Sequence, residues 1–374
     1  KPEKTSSIEA GFEAAFWDNR LYLDFTYYKT DSRNQILKLA TTAASGYTSQ
    51  VRNAGHIRNR GYEIQLGAVP IQTSKGFRWN LDLNYGANSS KVVKLDDEGL
   101  ITSYQLYSSG IQILASVGEA YGTLFGTSYV RDANGNVVVD ANGLPKISTT
   151  NKTLGKFTPD WTGGISNTFS YRSLSLSFLI DASVGGSIFS NTNKTGKYTG
   201  VLANTLSGRD AEHGGLWYYT DAMGNNVRLS ESPSYSVSSD GLYYAQVNGQ
   251  STRVYQDGIM VEGVTESGSK NEEVVSAEKY YHRIYSIAEA NVYDASYVKL
   301  REVALSYRLP RLWTQKLHLQ EASVTLTGRN LWTIYKSVPN IDPESALTTG
   351  NAQGVEAYSL PTTRSFGVNL SVKF

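Results

Sequence analysis

The chain has 374 residues, of which 40% are hydrophobic and only 18% are charged. Its 35 basic and 34 acidic residues nearly cancel, so bulk electrostatics excludes a nucleic-acid-binding role. The absence of cysteine excludes a disulfide framework, a zinc–thiolate site and a cysteine nucleophile. The sequence has no apolar run of about 18 residues, the minimum for a predicted transmembrane helix.

Apolar and polar side chains alternate with a period of two along much of the chain. In the last segment, Phe366, Val368 and Leu370 lie on one face, while Gly367 and Asn369 lie on the other. The same alternation predicts nine long strands. In chain order they span about residues 5–17, 20–33, 58–73, 76–91, 160–172, 173–187, 294–309, 320–333 and 362–374.

The phase of the alternation changes inside the seventh predicted strand. Val298 and Leu300 occupy even positions, whereas Val303 and Leu305 occupy odd ones. One extra residue in a strand moves the following side chains to the opposite face. The sequence therefore predicts a β-bulge near Arg301-Glu302.

The connections between the predicted strands alternate in length. Short ones lie at 18–19, 74–75, 171–174 and 310–319, and long ones at 34–57, 92–159, 188–293 and 334–361. Structureless loops above about 15 residues are uncommon in compact soluble domains. Outer-membrane barrels, by contrast, combine short periplasmic turns with long extracellular loops, and a tilted strand crosses a bilayer in about 9–11 residues.

These patterns predict an all-β fold, namely a transmembrane antiparallel β-barrel with long extracellular loops. Nine strands cannot close a bacterial single-chain barrel, because such barrels have even strand numbers. An open edge in lipid would also leave backbone groups unpaired. We therefore expect the chain to be part of a larger barrel, with the other strands on a longer precursor or on another chain.

Short motifs are spread over nearly the whole chain. The most specific are Asp294–Glu302, which reads DASYVKLRE, and Gly328–Trp332, which reads GRNLW. The others are Lys1–Thr5 with Phe12 and Asn19–Leu21, Asn34–Leu37, Asn53–Gly55, Asn59–Glu63, Phe157–Trp161, Asn340–Glu344 and Tyr358–Pro361. With these motifs and an aromatic last strand ending on Phe374, the sequence resembles the SusC/RagA-type TonB-dependent transporters of the Bacteroidetes.

The resemblance implies a barrel of about 22 strands around an N-terminal plug. Residues 1–374 would be the C-terminal portion of that barrel, its last nine or so strands, and this sequence lacks the plug and the TonB box. It further implies an outer-membrane location, energy supplied by TonB through the plug, and a SusD-like lipoprotein lid. The implied cargo is an oligosaccharide or a peptide, and no cofactor is implied.

Aromatic clusters in the long connections are the candidate cargo contacts. They are Trp217, Tyr218, Tyr219, Tyr243 and Tyr244. Aromatic rings pack on the apolar faces of sugars, and neighbouring polar side chains can meet their hydroxyls. The alternative is that these rings pack the connections against each other or against the lid.

Charged side chains on the polar face of the predicted strands would point into the barrel lumen, toward water and the plug. They are Glu9, Glu13, Asp24, Glu63, Arg78, Asp82 and Lys373. In the seventh strand, Lys299, Arg301 and Glu302 would form ion pairs in the lumen or contact the plug. A structural role is favoured for them over a role in substrate binding.

The sequence offers no catalytic or metal site. The stretch Asp132–Asn136 resembles a calcium loop, but its glycine and acidic residues fall at the wrong spacing, so a β-turn is predicted. His56, His213, His282 and His318 form no metal-ligand pattern and are interpreted as surface or loop residues. No nucleophile elbow occurs, so an enzyme is not expected.

Two alternatives remain open at this point. A soluble all-β surface adhesin or carbohydrate-binding module would bury the apolar strand faces in a dry core, and its loops should be shorter. A self-contained passive porin would need an even number of strands that close within these 374 residues.

Overall fold

The structure is a computed structural model that describes residues 2–40, 46, 49–96, 99, 101–316 and 318–374. In chain order the strands are β1 (Lys4–Phe16), β2 (Leu21–Ala40), β3 (Ser49–Gln72), β4 (Phe77–Lys94), β5 (Ser103–Ser108), β6 (Gln112–Ser116), β7 (Tyr121–Gly126), β8 (Lys152–Lys156), β9 (Trp161–Tyr171), β10 (Leu174–Val184), β11 (Ser187–Ser190), β12 (Leu216–Thr220), β13 (Asn226–Arg228), β14 (Tyr235–Val237), β15 (Tyr243–Val247), β16 (Gln250–Ile259), β17 (Val275–Ser276), β18 (Val292–Asp294), β19 (Tyr297–Arg308), β20 (Glu321–Lys336), β21 (Val355–Glu356) and β22 (Ser365–Lys373). The helices are α1 (Asn191–Thr199), α2 (Ala277–Tyr285) and α3 (Arg311–Lys316), and 3₁₀ turns lie at Ala203–Thr205, Ala211–His213 and Ala288–Asn291.

Nine of these strands form one continuous antiparallel sheet, which we call the wall. Its order is β1-β2-β3-β4-β9-β10-β19-β20-β22, so each long strand pairs with the next long strand along the chain. These are the nine strands that the alternation predicts. Outside the β2–β3 connection, the predicted ends agree with the observed ones to within three residues.

The prediction that residues 34–57 form one long connection is wrong, because the strands on both sides extend into this range. β2 continues to Ala40 and β3 already begins at Ser49, with Gln35 paired to Ala54. Asn34 and Gln35 are polar at adjacent positions, so the period of two is lost here although the backbone ladder continues. Residues 41–45, 47 and 48 of this connection lie outside the described residues, as do Lys1 of the first motif and Leu317 of the predicted turn at 310–319.

One side of the wall is apolar and open, and we call it the apolar side. Phe366, Val368 and Leu370 on β22 are 80%, 73% and 64% exposed. The stripe continues across strands, because Leu326 lies opposite both Val368 and Leu305. No other part of the described chain covers these side chains. Contact with hydrocarbon would remove this apolar surface from water, and the paired strands satisfy most of their backbone groups within the sheet.

The predicted bulge is present at Arg301. Leu179 on β10 lies opposite Glu302, whereas Ile180 lies opposite Leu300, so Arg301 is the extra residue. The pairing of β19 with β20 shifts at the same place. The bulge explains why the apolar residues of β19 change from even to odd positions without leaving the apolar side.

The short turns have the backbone that their residues favour. Between β1 and β2, Trp17, Asp18 and Asn19 all have positive φ angles of 52°, 55° and 62°. Asp and Asn tolerate this left-handed region better than most residues. Gly76, with a φ of 89°, closes the turn before β4.

The long connections are folded into small domains, which the sequence does not predict. They carry a sheet of β5–β8, a sheet of β11, β18 and β21, and a six-stranded sheet of β12–β17. The buried hydrophobic clusters of the described chain centre on these segments, for example around Phe189 and Leu124, which are fully buried. Helices α1 and α2 also belong to these connections. None of the helices in the described residues is both long and apolar enough to cross a bilayer.

Candidate functional site

The charged residues predicted for the barrel lumen share the side of the wall opposite the apolar stripe, which we call the polar side. They are Glu9, Glu13, Asp24, Glu63, Arg78, Asp82 and Lys373. All of them are exposed or half-buried, and none forms an ion pair within the described part of the chain. Their charges are therefore available to whatever lies against this side.

Carboxylates dominate the polar side over the first four strands. Glu13 lies directly opposite Asp24, and Asp82 lies opposite Gly67 on the neighbouring strand. Like charges directly opposite each other destabilise a sheet unless a positive charge comes close. This part of the wall therefore favours a basic surface against it.

An ionic cluster joins the wall to the segment between β20 and β22. Lys299 Nζ donates to Asp342 Oδ1 at 2.6 Å and to Glu344 Oε2 at 2.5 Å. Arg301 Nε donates to Asp181 Oδ1 at 2.6 Å, and its Nη1 donates to Glu344 Oε2 at 2.7 Å. Lys299 is only 3% exposed. Two motifs that lie far apart in sequence therefore meet in space and hold this segment against the polar side.

The surroundings keep both carboxylates of that segment ionised at neutral pH. Burial raises the pKa of Asp342, but hydrogen bonds from Lys299 and Thr362 outweigh it and lower the pKa to about 2. Burial likewise acts on Glu344, whose pKa is nevertheless lowered by hydrogen bonds from Arg301 and Lys299. Ion pairs at this depth hold only when both partners remain charged.

The third charged residue of the bulge also pairs within the wall. Glu302 accepts a hydrogen bond from Arg329 Nε at 2.8 Å across to β20. Asn330, next to it, has a positive φ of 52° and donates its side-chain amide to the carbonyl of Thr363. Residues of both motifs thus form ion pairs or hydrogen bonds within the described chain.

The predicted cargo-contact residues form part of the six-stranded sheet of β12–β17. Trp217 is 7% exposed and packs in a cluster with Val254 and Ala245. Its ring meets that of Tyr243 edge-on, with centroids 5.8 Å apart. Tyr219 packs on the same cluster. These rings therefore form the core that holds the hairpins of this sheet together.

The other two predicted residues, Tyr218 and Tyr244, lie on the opposite face of the same sheet. Tyr218 is 4% exposed, stacks on Tyr255 with centroids 5.1 Å apart and donates to Asp257 Oδ1 at 3.1 Å. Tyr244 is half-buried and lies opposite the exposed Arg253 on β16. Burial leaves little of Trp217 and Tyr218 for contact with any cargo, whereas Tyr219, Tyr243 and Tyr244 keep part of their surface.

Sequence reasoning misses a polar network at the N-terminus of α1. Glu356 is fully buried and accepts hydrogen bonds from the hydroxyls of Ser190 and Thr192 at 2.7 Å and 2.6 Å. The backbone N–H of Thr192 also points to this carboxylate, as expected for an anion at a helix N-terminus. No spacing rule connects these residues, because they lie more than 160 positions apart and β11 and β21 bring them together.

The turn predicted at Asp132 is confirmed. Asp132 Oδ1 accepts from the backbone N–H groups of Asn134 and Asn136 at 2.9 Å and 2.8 Å, so its carboxylate closes the turn. No group of three or more acidic or histidine side chains in the described chain is placed to hold a metal ion.

The interpretation of His56 as a surface or loop residue is wrong. It lies within β3, is 6% exposed and its Nε2 lies 2.5 Å from Asp31 Oδ1. Asp31 also accepts from Arg58 Nε at 2.9 Å. The extension of β2 and β3 beyond the predicted strands creates this contact, which explains why the sequence pattern does not show it.

Comparison with known families gives a match over more than half of the chain. The profile of the family described as "TonB dependent receptor-like, beta-barrel" matches residues 1–199 of the 374.

Two curated relatives come from Formosa agariphila. The chain is 26% identical to "TonB-dependent receptor P3" and 24% identical to "TonB-dependent receptor P26". Each comparison covers all of this chain and 34% of the relative. The chain therefore spans about a third of the length of the curated relatives that it matches.

Solved structures support the same architecture. The structure of the RagAB peptide transporter matches with a TM-score of 0.62 and 20% identity, over all of this chain and 35% of that chain. The RagAB peptide importer in its "closed-closed" state gives 0.64 and 19%, again over all of this chain and 35% of the other. At this level of identity, the likeness establishes the fold.

The wall, the family match and the fold likeness lead to one assignment. They confirm an all-β architecture that is part of an outer-membrane barrel, and they place the chain among receptors and transporters rather than enzymes. The chain belongs to the TonB dependent receptor-like, beta-barrel family, and its wall is part of an outer-membrane barrel.

Proposed function

We propose that this chain is the C-terminal part of the barrel wall of an active importer, which moves oligosaccharides or peptides across the outer membrane. The observation that carries the proposal is the two-sided wall. Its apolar side is open to hydrocarbon, while its polar side carries charged residues that no described ion pair uses. Such a wall separates lipid from a polar lumen through which hydrophilic cargo can pass.

The proposed energy source is TonB, acting on a plug domain inside the completed barrel. The carboxylates on β1–β4 fit a plug that presents basic side chains to them, for example toward the opposed pair Glu13 and Asp24. The ionic cluster around Lys299 fits a fixed part of the wall, because its charges are already paired. In this proposal the plug moves against the carboxylates while the cluster stays in place.

On the extracellular side, we propose a SusD-like lipoprotein lid over the folded connections. The relative with a solved structure is described as a peptide transporter, which favours peptides as one cargo class. Aromatic residues that keep part of their surface, Tyr219, Tyr243 and Tyr244, are the proposed cargo contacts of the six-stranded sheet. Trp217 and Tyr218 would support them from beneath.

Uptake by whole cells tests the proposal. Cells with the full-length transporter, cells lacking its gene and cells lacking TonB would be given fluorescent oligosaccharides and fluorescent peptides. We expect accumulation of one cargo class in the first strain only. Accumulation that persists without TonB would instead indicate a passive pore, and accumulation that persists without the gene would show that another protein imports the cargo.

The lid is tested separately by co-purification. A tagged full-length transporter is expected to carry a lipoprotein with it in mild detergent at about equal amounts. Isolation of the transporter without any lipoprotein, from cells that import cargo through it, would contradict the lid.

A further inference from the structure

A cavity of about 700 Å³ lies between helices α1 and α2 and the six-stranded sheet. Tyr129, Lys197 and Tyr280 line it together with backbone from Gly208 and Gly258. Neighbouring lining residues such as Asn204, Ser207 and Gly214 are exposed, so the cavity is open to solvent. Its size is that of a small-molecule site.

Lys197 has an unusual position in this cavity. The residue is 8% exposed, and its Nζ donates to the carbonyl of Ala290 at 2.7 Å and to Asn291 Oδ1 at 3.3 Å. The ring of Tyr293 lies 5.2 Å from the same nitrogen. No ion pair in the described chain involves Lys197, so a buried cation stands here without a carboxylate. An ammonium group has three N–H donors, and the described residues accept hydrogen bonds from two of them.

Two phenols add further donors. The hydroxyls of Tyr129 and Tyr280 have no hydrogen-bond partner in the described protein, whereas that of Tyr281 donates to the carbonyls of Asn204 and Ser207. All three residues line the same cavity, and a carboxylate accepts hydrogen bonds from ammonium and from hydroxyl donors alike. Glu262 also lines the cavity, but it is exposed and so lies toward the solvent side of it.

We propose that this cavity binds the carboxylate of a small cargo unit, with Lys197 as the charged partner and Tyr129 and Tyr280 as hydroxyl donors. The carboxylate would come from an acidic sugar or from the C-terminus of a peptide. The inference deepens the proposed function by naming a charged group on the cargo. The inference concerns only the binding of an acidic ligand. A transporter that imports cargo but does not bind the acid would therefore contradict this site without contradicting the proposed function.

Calorimetric titration of the full-length transporter in detergent tests the site. Methyl β-D-glucuronide is compared with neutral methyl β-D-glucoside, and N-acetyl-glycylglycine with its amide. We expect one acid to bind and its neutral partner to bind at least about tenfold more weakly. Binding of the glucuronide would indicate an acidic sugar as the source of the carboxylate, and binding of N-acetyl-glycylglycine would indicate a peptide C-terminus. Equal binding of each acid and its neutral partner, or no binding by any, overturns the proposal.

Variants locate the site. Lys197→Met is expected to weaken binding of the acid at least about tenfold, while Lys194→Met, on the same helix but outside the cavity lining, leaves it unchanged. Because Lys197→Met can perturb folding, Glu262→Gln provides an independent variant, and it should strengthen binding by removing a nearby negative charge. Unchanged binding in both Lys197→Met and Glu262→Gln refutes the site.

The pH dependence of binding gives a readout that a purely structural lysine would not give. Burial lowers the pKa of Lys197 to about 8, so affinity for the acid should fall as the pH rises above 8, while a neutral ligand shows no such change. Burial raises the pKa of Tyr129, Tyr280 and Tyr293, so these phenols stay neutral in that range.

Other titratable groups on the neighbouring elements are already engaged. They are His282 stacked on Tyr198, Glu289 paired with Arg131 and Lys152, and Glu356 bound at the start of α1. Lys197→Met removes the proposed titration and leaves these groups in place. A fall in affinity above pH 8 that survives in Lys197→Met would refute Lys197 as the charged partner.

Discussion

Lys299 shows how a single side chain can fix a long segment of chain. It is buried, and it donates to Asp342 and Glu344, which reach it from the segment between β20 and β22. A buried lysine would be costly alone, and two carboxylates without it would repel each other. The three residues therefore depend on one another.

Replacing this lysine should be strongly destabilising. Lys299→Met leaves the buried carboxylate of Asp342 without its ion-pair partner, whereas Glu344 keeps Arg301, and we expect a loss of about 3 kcal/mol in the free energy of unfolding. Lys270→Met is the matched control, because Lys270 is exposed and forms no ion pair in the described chain. Melting of the full-length transporter in detergent measures both. Equal melting temperatures for the two variants would contradict a stabilising role of the cluster.

The same cluster predicts a response to acid. The pKa of Asp342 in the folded protein is about 2, below the ordinary aspartate value of about 3.9. Its ionised form therefore stabilises the folded state above about pH 4, and this contribution of roughly 2 kcal/mol disappears as the pH falls toward 2. The stability difference between wild type and Asp342→Asn should thus be constant above pH 4 and shrink below it. A difference that does not change between pH 6 and 2 would refute this linkage.

At the scale of elements, the six-stranded sheet of β12–β17 behaves as a small domain with its own core. Trp217 packs between Val254, Ala245 and the ring of Tyr243. Both faces of the sheet carry aromatic residues, but only the face with Trp217 has a buried cluster. The stability of this domain therefore rests mainly on that face.

Truncating the central ring should loosen the domain without affecting the wall. Trp217→Ala is expected to cost about 3–5 kcal/mol in local stability. Tyr244→Ala, a half-buried aromatic of the same sheet, should cost clearly less. Hydrogen exchange of β12–β16 would show the difference, while exchange of the wall strands stays unchanged. Equal protection in the two variants would show that Trp217 is not the centre of this core.

At the scale of the whole molecule, the two sides of the wall meet different surroundings. Leu326 on β20 belongs to the apolar side and is 51% exposed, whereas the next residue, Thr327, belongs to the polar side. Substitutions at these two adjacent positions can therefore show whether the apolar side of the wall contacts lipid.

An arginine should be tolerated on one side only. Leu326→Arg is expected to cost about 2–4 kcal/mol in a bilayer, whereas Thr327→Arg should cost little, because the polar side faces water. Folding of the full-length transporter into lipid vesicles, followed by its heat-dependent mobility on gels, gives the measurement. Equal tolerance of both arginines would contradict contact between the apolar side and lipid.

Much of this whole-molecule picture follows from the sequence. The alternation of Phe366, Val368 and Leu370 with small polar residues predicts the last strand, and the phase change around Arg301 predicts its bulge. Such local patterns are sufficient to predict the wall strands, because each of these strands must present one face to hydrocarbon. Where that demand ends, as in the extension of β2 to Ala40, the pattern fades and the prediction of a loop is wrong.

The sequence by itself determines the nine strands of the wall, their order and the polarity of its two sides, because a period of two is a local property that lipid on one side enforces. The tertiary structure alone decides which distant groups meet: Lys299 with Asp342, Glu356 with α1, and Lys197 with the carbonyl of Ala290. Those contacts join segments of about 40 to more than 160 residues apart, and their charges and hydroxyls follow no repeating pattern that a reader of the sequence could detect.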